Sequence, residues 1–403
     1  MSQINASNFK KEYGNEGPDL VGITTLTSPH YMVPPSGNTA ERPQNPQKGT
    51  LRFNTDIGNL EYFKGDALGW ESVNRTSPNL AGGKTSGSTD GTGARAIFAG
   101  GYTLSSNPND SFNNVDALTI ATLGNTIDFN NLTANLAGGY ATADRTRVVH
   151  SGGIGPRAYT PGVTIQTIQY ANFASQSDYV AGGDLGNTRA FGAAICDATR
   201  SICASRGMPS YNASIDYFTT QTTGNGQDFG DIHSAIGYSA GMMSSTRGLI
   251  AGGIFCCPGV SHNTVEYVTI STTGNPIDFG DLSTARYEMA SFGSPTRGLV
   301  ACGSGTSNTI EYFTIATQGN AVDFGDTTNL NSGGKYSASS PTRGVLGGGY
   351  VGAIGPASAV NYSNVLEYIE IASTGNAQDF GDFQGFGRRG TGSEGISNAH
   401  GGL

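Results

Sequence analysis

Charged residues and helix-favouring stretches are scarce in this sequence. Only 13% of the 403 residues are charged, and no long stretch is rich in Ala, Glu, Lys and Leu, which favour helices. The 22 Lys and Arg residues are scattered, and the formal net charge is -9. A protein that binds nucleic acid or an anionic membrane through charge carries a basic patch. We therefore expect neither nucleic acid nor a membrane as a partner.

Long apolar runs and paired cysteines are also missing. Residues 1 to 23 hold no apolar stretch of signal-peptide length, and no apolar run reaches about 18 residues, the length of a membrane-spanning helix. This pattern predicts synthesis in the cytoplasm and no membrane insertion. The five cysteines form no C-x-x-C pair, so their spacing encodes neither a disulfide framework nor a zinc site. We predict small buried thiols, with a disulfide between Cys256 and Cys257 as the alternative.

Glycine and internal repetition are what the sequence has in excess. Gly makes up 61 of the 403 residues, well above its average share of about 7% in proteins. A Thr-Arg pair before an apolar run and a glycine doublet recurs as TRGLIAGG, TRGLVACG and TRGVLGGG, with weaker copies upstream. The period is about fifty residues. The Arg of the six copies is Arg95, Arg147, Arg200, Arg247, Arg297 and Arg343.

Each copy continues with a strand pattern and a turn. In SNTIEYFTIATQGNAVDFGD, residues 307 to 326, Ile310 and Tyr312 alternate with Glu311 and Phe313, which is β periodicity with apolar residues on both faces. Gly-Asn then predicts a turn, because both residues tolerate positive φ. Each repeat is therefore a small sheet that must pack against neighbours on both sides.

These repeats predict an all-β fold, namely a six-bladed β-propeller over residues 94 to 403, with seven blades as the alternative. The chain ends in SNAHGGL, similar to the start of another copy with His400 at the Arg position. That fragment predicts a last strand that closes the ring by completing a blade begun elsewhere. The repeat resembles the kelch unit, which also has an apolar run, a glycine doublet and a later tyrosine. It lacks the kelch tryptophan, and we expect the Phe of DFGD to replace it.

The N-terminal quarter predicts three segments. Residues 1 to 48 are polar and proline-containing, which favours an extended docking arm. Residues 49 to 75 predict a small β-hairpin or meander, and residues 76 to 93 a flexible linker. The motif GTLRFNTDIGNLEYFKGDALGW at 49 to 70 resembles a module near the N-termini of tail-fibre and other virion proteins of tailed phages. The glycine-rich repeats behind it resemble structural proteins of phages that infect cyanobacteria.

Catalytic and metal-binding patterns are not evident. The Asp-x-x-Asp pairs of the DFGD turns do not supply six oxygen ligands from one repeat, and the sequence holds no G-x-S-x-G, H-E-x-x-H or phosphate-binding loop. We therefore predict no catalytic residue, no metal and no cofactor. The repeated Arg is expected to pair with the repeated Glu of Glu266, Glu311 and Glu367, within or between blades.

One loop position varies in length between repeats. After the glycine doublet the chain spends 13 residues at 102 to 114, 11 at 254 to 264, 6 at 304 to 309 and 15 at 350 to 364. Insertions at one position of successive repeats lie on one rim, where such scaffolds place binding surfaces. Together with the loop at 153 to 164, these loops predict a recognition rim. Its candidate binding residues are Tyr102, Tyr159, Tyr211, His262, Tyr350 and Tyr362.

The resemblance implies a non-enzymatic virion protein, present in multiple copies per particle and assembled in the host cytoplasm. In the first hypothesis it is a tail fibre or appendage: the N-terminal arm docks on other virion proteins, and the propeller rim contacts a host surface glycan or protein. The second is a capsid or tail decoration protein, or head fibre, without a receptor. The third is a propeller enzyme that acts on surface glycans. Mounting on the tail, the baseplate or the capsid stays open.

Overall fold

A computed structural model describes residues 34–56, 59–66, 69–72, 94–103, 110–155, 164–204, 212–222, 224–255, 259–304, 307–331, 333–351, 361–385, 387–390 and 394–403. The chain divides into two compact units, Met1–Thr76 and Ser77–Leu403. Their described residues form seven sheets of four or more strands and no α-helix. The predicted all-β, propeller-like class is therefore confirmed.

The N-terminal unit is one small sheet that begins within the segment predicted as an arm. Its strands are β1 (Ser36–Gly37), β2 (Leu51–Asn54), β3 (Asn59–Phe63) and β4 (Trp70–Ser72), and a 3-10 turn covers Thr39–Glu41. The buried carboxylate of Glu61 accepts bonds from Arg42 Nη2 at 2.6 Å and Asn54 Nδ2 at 3.1 Å. These bonds join the turn region to the meander that the sequence predicts.

The larger unit holds six sheets, which we number 1 to 6 along the chain. Sheet 1 contains β5 (Arg95–Ala99), β6 (Tyr102–Thr103), β7 (Asp110–Thr119) and β8 (Ile127–Leu136), and sheet 2 contains β9 (Tyr140–Ala143), β10 (Arg147–Ser151), β11 (Thr167–Asn172) and β12 (Val180–Asp184). Sheet 3 contains β13 (Ala193–Cys196), β14 (Arg200–Ala204), β15 (Ser214–Thr219) and β16 (Gln227–Asp231). Sheet 4 contains β17 (Ala240–Met243), β18 (Arg247–Phe255), β19 (Val260–Thr269) and β20 (Ile277–Asp281).

The remaining strands complete sheets 5, 6 and 1. Sheet 5 contains β21 (Ala290–Gly293), β22 (Arg297–Ala301), β23 (Ser307–Thr314) and β24 (Val322–Asn331), and sheet 6 contains β25 (Lys335–Ser339), β26 (Arg343–Gly348), β29 (Val365–Glu370) and β30 (Gln378–Asp382). The short strands β27 (Tyr350–Val351) and β28 (Asn361–Tyr362) extend sheet 5, while β31 (Arg388–Arg389) and β32 (Gly395–Ser397) join sheet 1.

One strand of each sheet contacts its counterparts in the neighbouring sheets. These inner strands are β9, β13, β17, β21, β25 and β32, and each contacts the next in this order, with β32 also contacting β9. Residues of all six, together with His400 and Gly401, line a cavity of about 20 Å³. The inner strands therefore leave little free space between them.

Sheet 1 combines strands from the beginning and the end of the larger unit, since β32 pairs with β5. In sheet 3, Asp197 Oδ1 accepts the N–H of Arg200 at 2.7 Å in the turn after the inner strand. In sheet 1, Asn398 Oδ1 accepts the N–H of Arg95 at 2.8 Å in the same way. The prediction that His400 occupies the repeated Arg position is wrong, because Arg95 itself fills it.

The repeated Arg joins each sheet to the next, and its predicted pairing with the repeated Glu is wrong. In sheets 2 to 6 its guanidinium lies over the repeated tyrosine, 4.2 to 4.8 Å from the ring centroid. Its Nη1 donates to one or two backbone carbonyls of the following sheet. Arg343 also pairs with Glu370 at 2.8 Å, an acid of its own sheet that is not the repeated Glu. The acceptors are Phe173 for Arg95, Thr220 and Gln221 for Arg147, Ile270 for Arg200, Ile315 and Ala316 for Arg247, Ile371 and Ala372 for Arg297, and Ile120 and Ala121 for Arg343.

The acidic residue of the repeat instead pairs with a cation that stands at or before the start of its own inner strand. Such pairs are Asp216 with Arg189 at 2.9 Å, Glu311 with Arg286, Glu367 with Lys335 at 2.8 Å and Asp116 with Arg388 at 2.7 Å. In sheet 4, Glu266 accepts the N–H of His233 at 3.2 Å. A buried carboxylate needs such partners, which explains why the acid recurs at the repeat period.

The Gly-Asn and DFGD segments also have a structural role. Asn275 Oδ1 of sheet 4 accepts the N–H of Asp231 in sheet 3 at 3.0 Å, and Asn320, Asn376 and Asn125 make the same bond to Asp281, Asp326 and Asp382. The Phe of DFGD is buried in all four sheets that carry this motif and packs edge-to-face on the repeated tyrosine in each of them. Both segments therefore fasten neighbouring sheets together.

Three of the five cysteines bear out the prediction of buried thiols. Cys196, Cys203 and Cys302 are free and buried, and burial raises the pKa of the Cys203 thiol to about 12. The Cys256–Cys257 alternative lies outside the described residues.

Candidate functional site

The loops that precede the inner strands are linked by a succession of backbone hydrogen bonds. We call Gly138, Phe191, Tyr238, Glu288, Gly334 and Gly390 the ring residues. The N–H of each of the last five donates to the carbonyl of the residue before it in this series. The carboxylate of Glu394 accepts the N–H of Gly138, so the first member of the series is bonded to a side chain.

Three ring residues have bulky side chains in a backbone conformation that favours glycine. Gly138 and Gly334 both have φ of 72°, whereas Phe191, Tyr238 and Glu288 have φ of 62°, 57° and 57°. A residue with a Cβ in the left-handed region costs roughly 1–2 kcal/mol relative to its usual conformation. Glycine would adopt this backbone conformation without that cost, as Gly138 and Gly334 do. The three side chains are thus kept against a conformational cost, which is a mark of functional sites.

Aromatic rings from this ring and its neighbours form a cluster. The Phe191 ring stacks on Tyr238 with centroids 4.8 Å apart and planes at 23°. Tyr238 in turn contacts Tyr287, with centroids 6.1 Å apart. Tyr238 and Tyr287 are half-buried, so part of each ring faces solvent.

Arg389 lies at the centre of a second set of rings. Its guanidinium lies 4.3 Å from the ring centroid of Tyr350 and 5.7 Å from that of Tyr102, and it forms an ion pair with Glu288. Tyr350 also packs edge-to-face on Tyr362 at 5.4 Å. We call Phe191, Tyr238, Tyr287, Glu288, Arg389, Tyr102, Tyr350 and Tyr362 together the aromatic mouth.

Electrostatics keep Arg389 charged in this partly buried setting. Burial lowers the pKa of its guanidinium, but the Glu288 carboxylate and the surrounding tyrosines outweigh that effect, so the net pKa is raised. Burial raises the pKa of the Tyr350 and Tyr362 phenols. Tyr350 and Tyr362 therefore offer neutral phenols and π faces beside the ion pair of Glu288 and Arg389.

Three of the predicted binding residues meet in the aromatic mouth. Tyr102, Tyr350 and Tyr362 come together around Arg389, although Tyr102 is only 4% exposed. His262 is half-buried on β19, and its carbonyl accepts the N–H of Arg286 at 3.2 Å. Tyr159 and Tyr211 lie outside the described residues.

The sequence analysis missed Phe191, Tyr238, Tyr287, Glu288 and Arg389. A signal for three of them existed, because Phe191, Tyr238 and Glu288 each stand nine positions before the repeated Arg, where two other repeats have Gly138 and Gly334. A large residue in register with glycines is the visible trace of a backbone position with positive φ. Arg389 carries no such signal, since its loop belongs to the irregular junction of sheets 6 and 1.

Two histidines of the larger unit lie in its interior. His150 and His400 are buried, and burial lowers the pKa of each to about 4. Within the described ranges, no group of three or more His, Cys, Asp or Glu could hold a metal ion. The same residues include no helix that is long and apolar enough to cross a bilayer.

Comparison with known proteins gives no family assignment. The chain matches no protein-family model and no curated protein sequence. Inference about its role therefore rests on the aromatic mouth and on the resemblance of the N-terminal motif.

Proposed function

We propose that the larger unit is a six-bladed β-propeller whose ring is closed by β32. Three observations support this proposal. The six inner strands contact one another in succession and β32 contacts β9. Arg343 of sheet 6 bonds to the carbonyls of Ile120 and Ala121 in sheet 1, as the other repeated arginines bond to their following sheets. Asn398 replaces the turn residue that other sheets supply within the chain.

The function supported best is non-enzymatic recognition by the aromatic mouth. The observation that carries this proposal is that Phe191, Tyr238 and Glu288 hold left-handed backbone conformations where glycine would suffice. Half-exposed tyrosine rings contact a ligand with little loss of conformational freedom. Such rings suit the faces of sugar units or a surface protein, and Glu288 and Arg389 supply hydrogen-bonding groups beside them.

In the biological setting that the N-terminal motif favours, the chain is a virion structural protein of a tailed phage, a tail fibre or appendage. The N-terminal unit docks on other virion proteins, and the aromatic mouth contacts a glycan or protein on the host surface. Each contact is weak, and many copies per particle supply avidity. A decoration protein without a receptor is the competing role.

The test compares ring variants that keep the backbone intact. Tyr238→Gly removes an aromatic face but places glycine where Gly138 and Gly334 already serve, so the relief of backbone strain offsets part of the lost ring packing. We expect particles that carry Tyr238→Gly to adsorb less well to host cells. The matched control is Ile277→Ala, which alters an exposed side chain at the opposite end of sheet 4.

Two results would change the proposal. If Tyr238→Gly and Tyr350→Ala particles adsorb as well as the Ile277→Ala control, the receptor role is rejected and the decoration role is preferred. If a chain without residues 1 to 75 folds and still enters particles at the normal copy number, the docking role of the N-terminal unit is rejected.

A further inference from the structure

Sheet 1 lacks the tyrosine ring that lies against the repeated Arg in each of the other five sheets. The repeated tyrosines are Tyr170, Tyr217, Tyr267, Tyr312 and Tyr368, and each lies against the repeated Arg of its own sheet. In sheet 1 the position is Ala117, which pairs with Ile97 as Tyr217 pairs with Ile202. Without a tyrosine, the guanidinium of Arg95 lies directly over Phe129, 5.4 Å from the ring centroid.

An open cavity of about 180 Å³ lies beside Arg95 and Ala117. Arg95, Ala117, Thr119, Leu123, Asn125 and Ile127 are among its lining residues. Its size is sufficient for a six-membered ring, since a protein cavity of about 150 Å³ is known to bind benzene. Ala117 is 1% exposed, so an incoming ring meets the guanidinium of Arg95 rather than the alanine methyl group.

A second departure from the repeat occurs at the same cavity. Leu123 precedes the Gly-Asn turn and is 61% exposed. The corresponding residues of four other repeats are Thr223, Thr273, Gln318 and Thr374. Sheet 1 therefore has no tyrosine at the repeated position and has an exposed apolar side chain at the edge of the cavity. If the cavity only contacted water, a polar residue like those of the other repeats would be favoured at this edge.

Neighbouring sheets hold the walls of the cavity in place. Asn125 Oδ1 accepts the N–H of Asp382 at 2.9 Å, and Gly124 donates its N–H to the carbonyl of Phe380 at 2.9 Å. Arg343 bonds to the carbonyl of Ile120 at 3.2 Å. Because these bonds exist without a ligand, binding requires little ordering of the chain.

We infer that this cavity binds a phenol ring, supplied by a tyrosine side chain of a partner protein or by a free phenolic compound. The positive guanidinium of Arg95 complements the negative face of such a ring, and Leu123 and Ile127 border the cavity with apolar surface. In the other five sheets the repeated Arg already lies against the phenol ring of a tyrosine. The cavity lies at the opposite end of the strands from the aromatic mouth, so the inference is independent of the proposed function.

The test titrates p-cresol, which is the tyrosine side chain itself, into the full chain and follows binding by ligand-detected NMR. Ala117→Tyr supplies the missing ring covalently, so we expect about tenfold weaker binding or none, because the new ring would occupy the face of the Arg95 guanidinium. Leu123→Asp alters an exposed residue at the cavity edge and should weaken binding without unfolding the chain. Tyr217→Ala is the matched control, because it opens the equivalent space in sheet 3 and should add a second p-cresol site.

Further arms distinguish the ligand sources and the type of contact. If N-acetyltyrosinamide binds at least as tightly as p-cresol, a tyrosine of a partner protein is the ligand source; if p-cresol alone binds, a free phenolic compound is. Methylcyclohexanol, which has a similar size but no π face, should bind more weakly than p-cresol. The inference is overturned if the wild-type chain binds no p-cresol, or if Ala117→Tyr and Leu123→Asp both bind it as tightly as the wild type.

Discussion

Removal of the last strand should unfold the larger unit. A chain that stops at Glu394 loses β32 and the segment to Leu403. Burial of Ile396, which is 5% exposed, contributes about 2–5 kcal/mol by comparison with Ile→Ala changes. The bonds of Asn398 to Arg95, in both directions, and of His400 to the carbonyl of Ala143 at 2.8 Å add about 1 kcal/mol each.

The total of about 5–8 kcal/mol is comparable with the entire stability of a typical domain, about 5–15 kcal/mol. We therefore expect the truncated chain to lack a cooperative unfolding transition in scanning calorimetry. Ile396→Ala should instead give a folded chain with a lower Tm, and addition of a synthetic peptide of residues 394 to 403 should restore the transition of the truncated chain. A truncated chain that melts within a few degrees of the full chain would refute the role of β32 as the closing strand.

Three further predictions follow from buried groups. His150 and His400 have pKa values of about 4 in the fold against about 6.5 when unfolded. The unfolded state therefore binds more protons, and the free energy of unfolding should fall as the pH is lowered from 6.5 to 4. His400→Gln should reduce this pH dependence in urea titrations, and an unchanged dependence would contradict the lowered pKa of His400. Glu288→Gln leaves the partly buried Arg389 without its counter-charge and should cost about 2–4 kcal/mol in the same titrations; a change within 0.5 kcal/mol, the usual range for surface substitutions, would contradict the pairing. Arg247→Lys loses the planar contact with its tyrosine and a hydrogen bond to the next sheet and should cost about 1–2 kcal/mol; wild-type stability would show that the bond between sheets contributes nothing.

The sequence predicts Tyr350 and Tyr362 as residues of a binding loop, but their packing gives them a role in stability as well. In the fold they contact each other and Arg389, so the double variant with Ala at both positions should lose about 1–3 kcal/mol. Adsorption experiments with this variant therefore need a stability control, whereas Tyr238→Gly retains the backbone ring.

The repeat could be located from sequence because its marks are local. The Thr-Arg turn, the glycine doublet and the Gly-Asn turn each reflect φ preferences or side-chain caps within a few residues. The doublet, for example, has φ of 55° at Gly252 and 116° at Gly253, and a Cβ at Gly252 would lie 2.6 Å from the carbonyl oxygen of Arg286.

Partners across sheets could not be predicted in the same way. A sequence shows that Arg247 and Glu266 both recur at the repeat period, but not that Arg247 bonds to carbonyls of sheet 5 while Glu266 accepts the N–H of His233. The aromatic mouth was found only in part, because Arg389 reaches it from the junction of sheets 6 and 1. Contacts of this kind depend on how neighbouring sheets are arranged. The length of the sequence repeat does not specify that arrangement.

The pairing of β32 with β5 has a consequence for folding kinetics. The bond between Arg95 and Asn398 spans 303 residues, whereas sheets 2 to 4 and sheet 6 each draw their main strands from one continuous segment. During synthesis these sheets can form in order, while β5 keeps an unpaired edge until the last segment leaves the ribosome. Closing so long a loop is slow, and an unpaired edge invites association with other chains. The first repeat to be synthesised is thus the last to be protected, and aggregation of nascent chains should begin at its exposed edge.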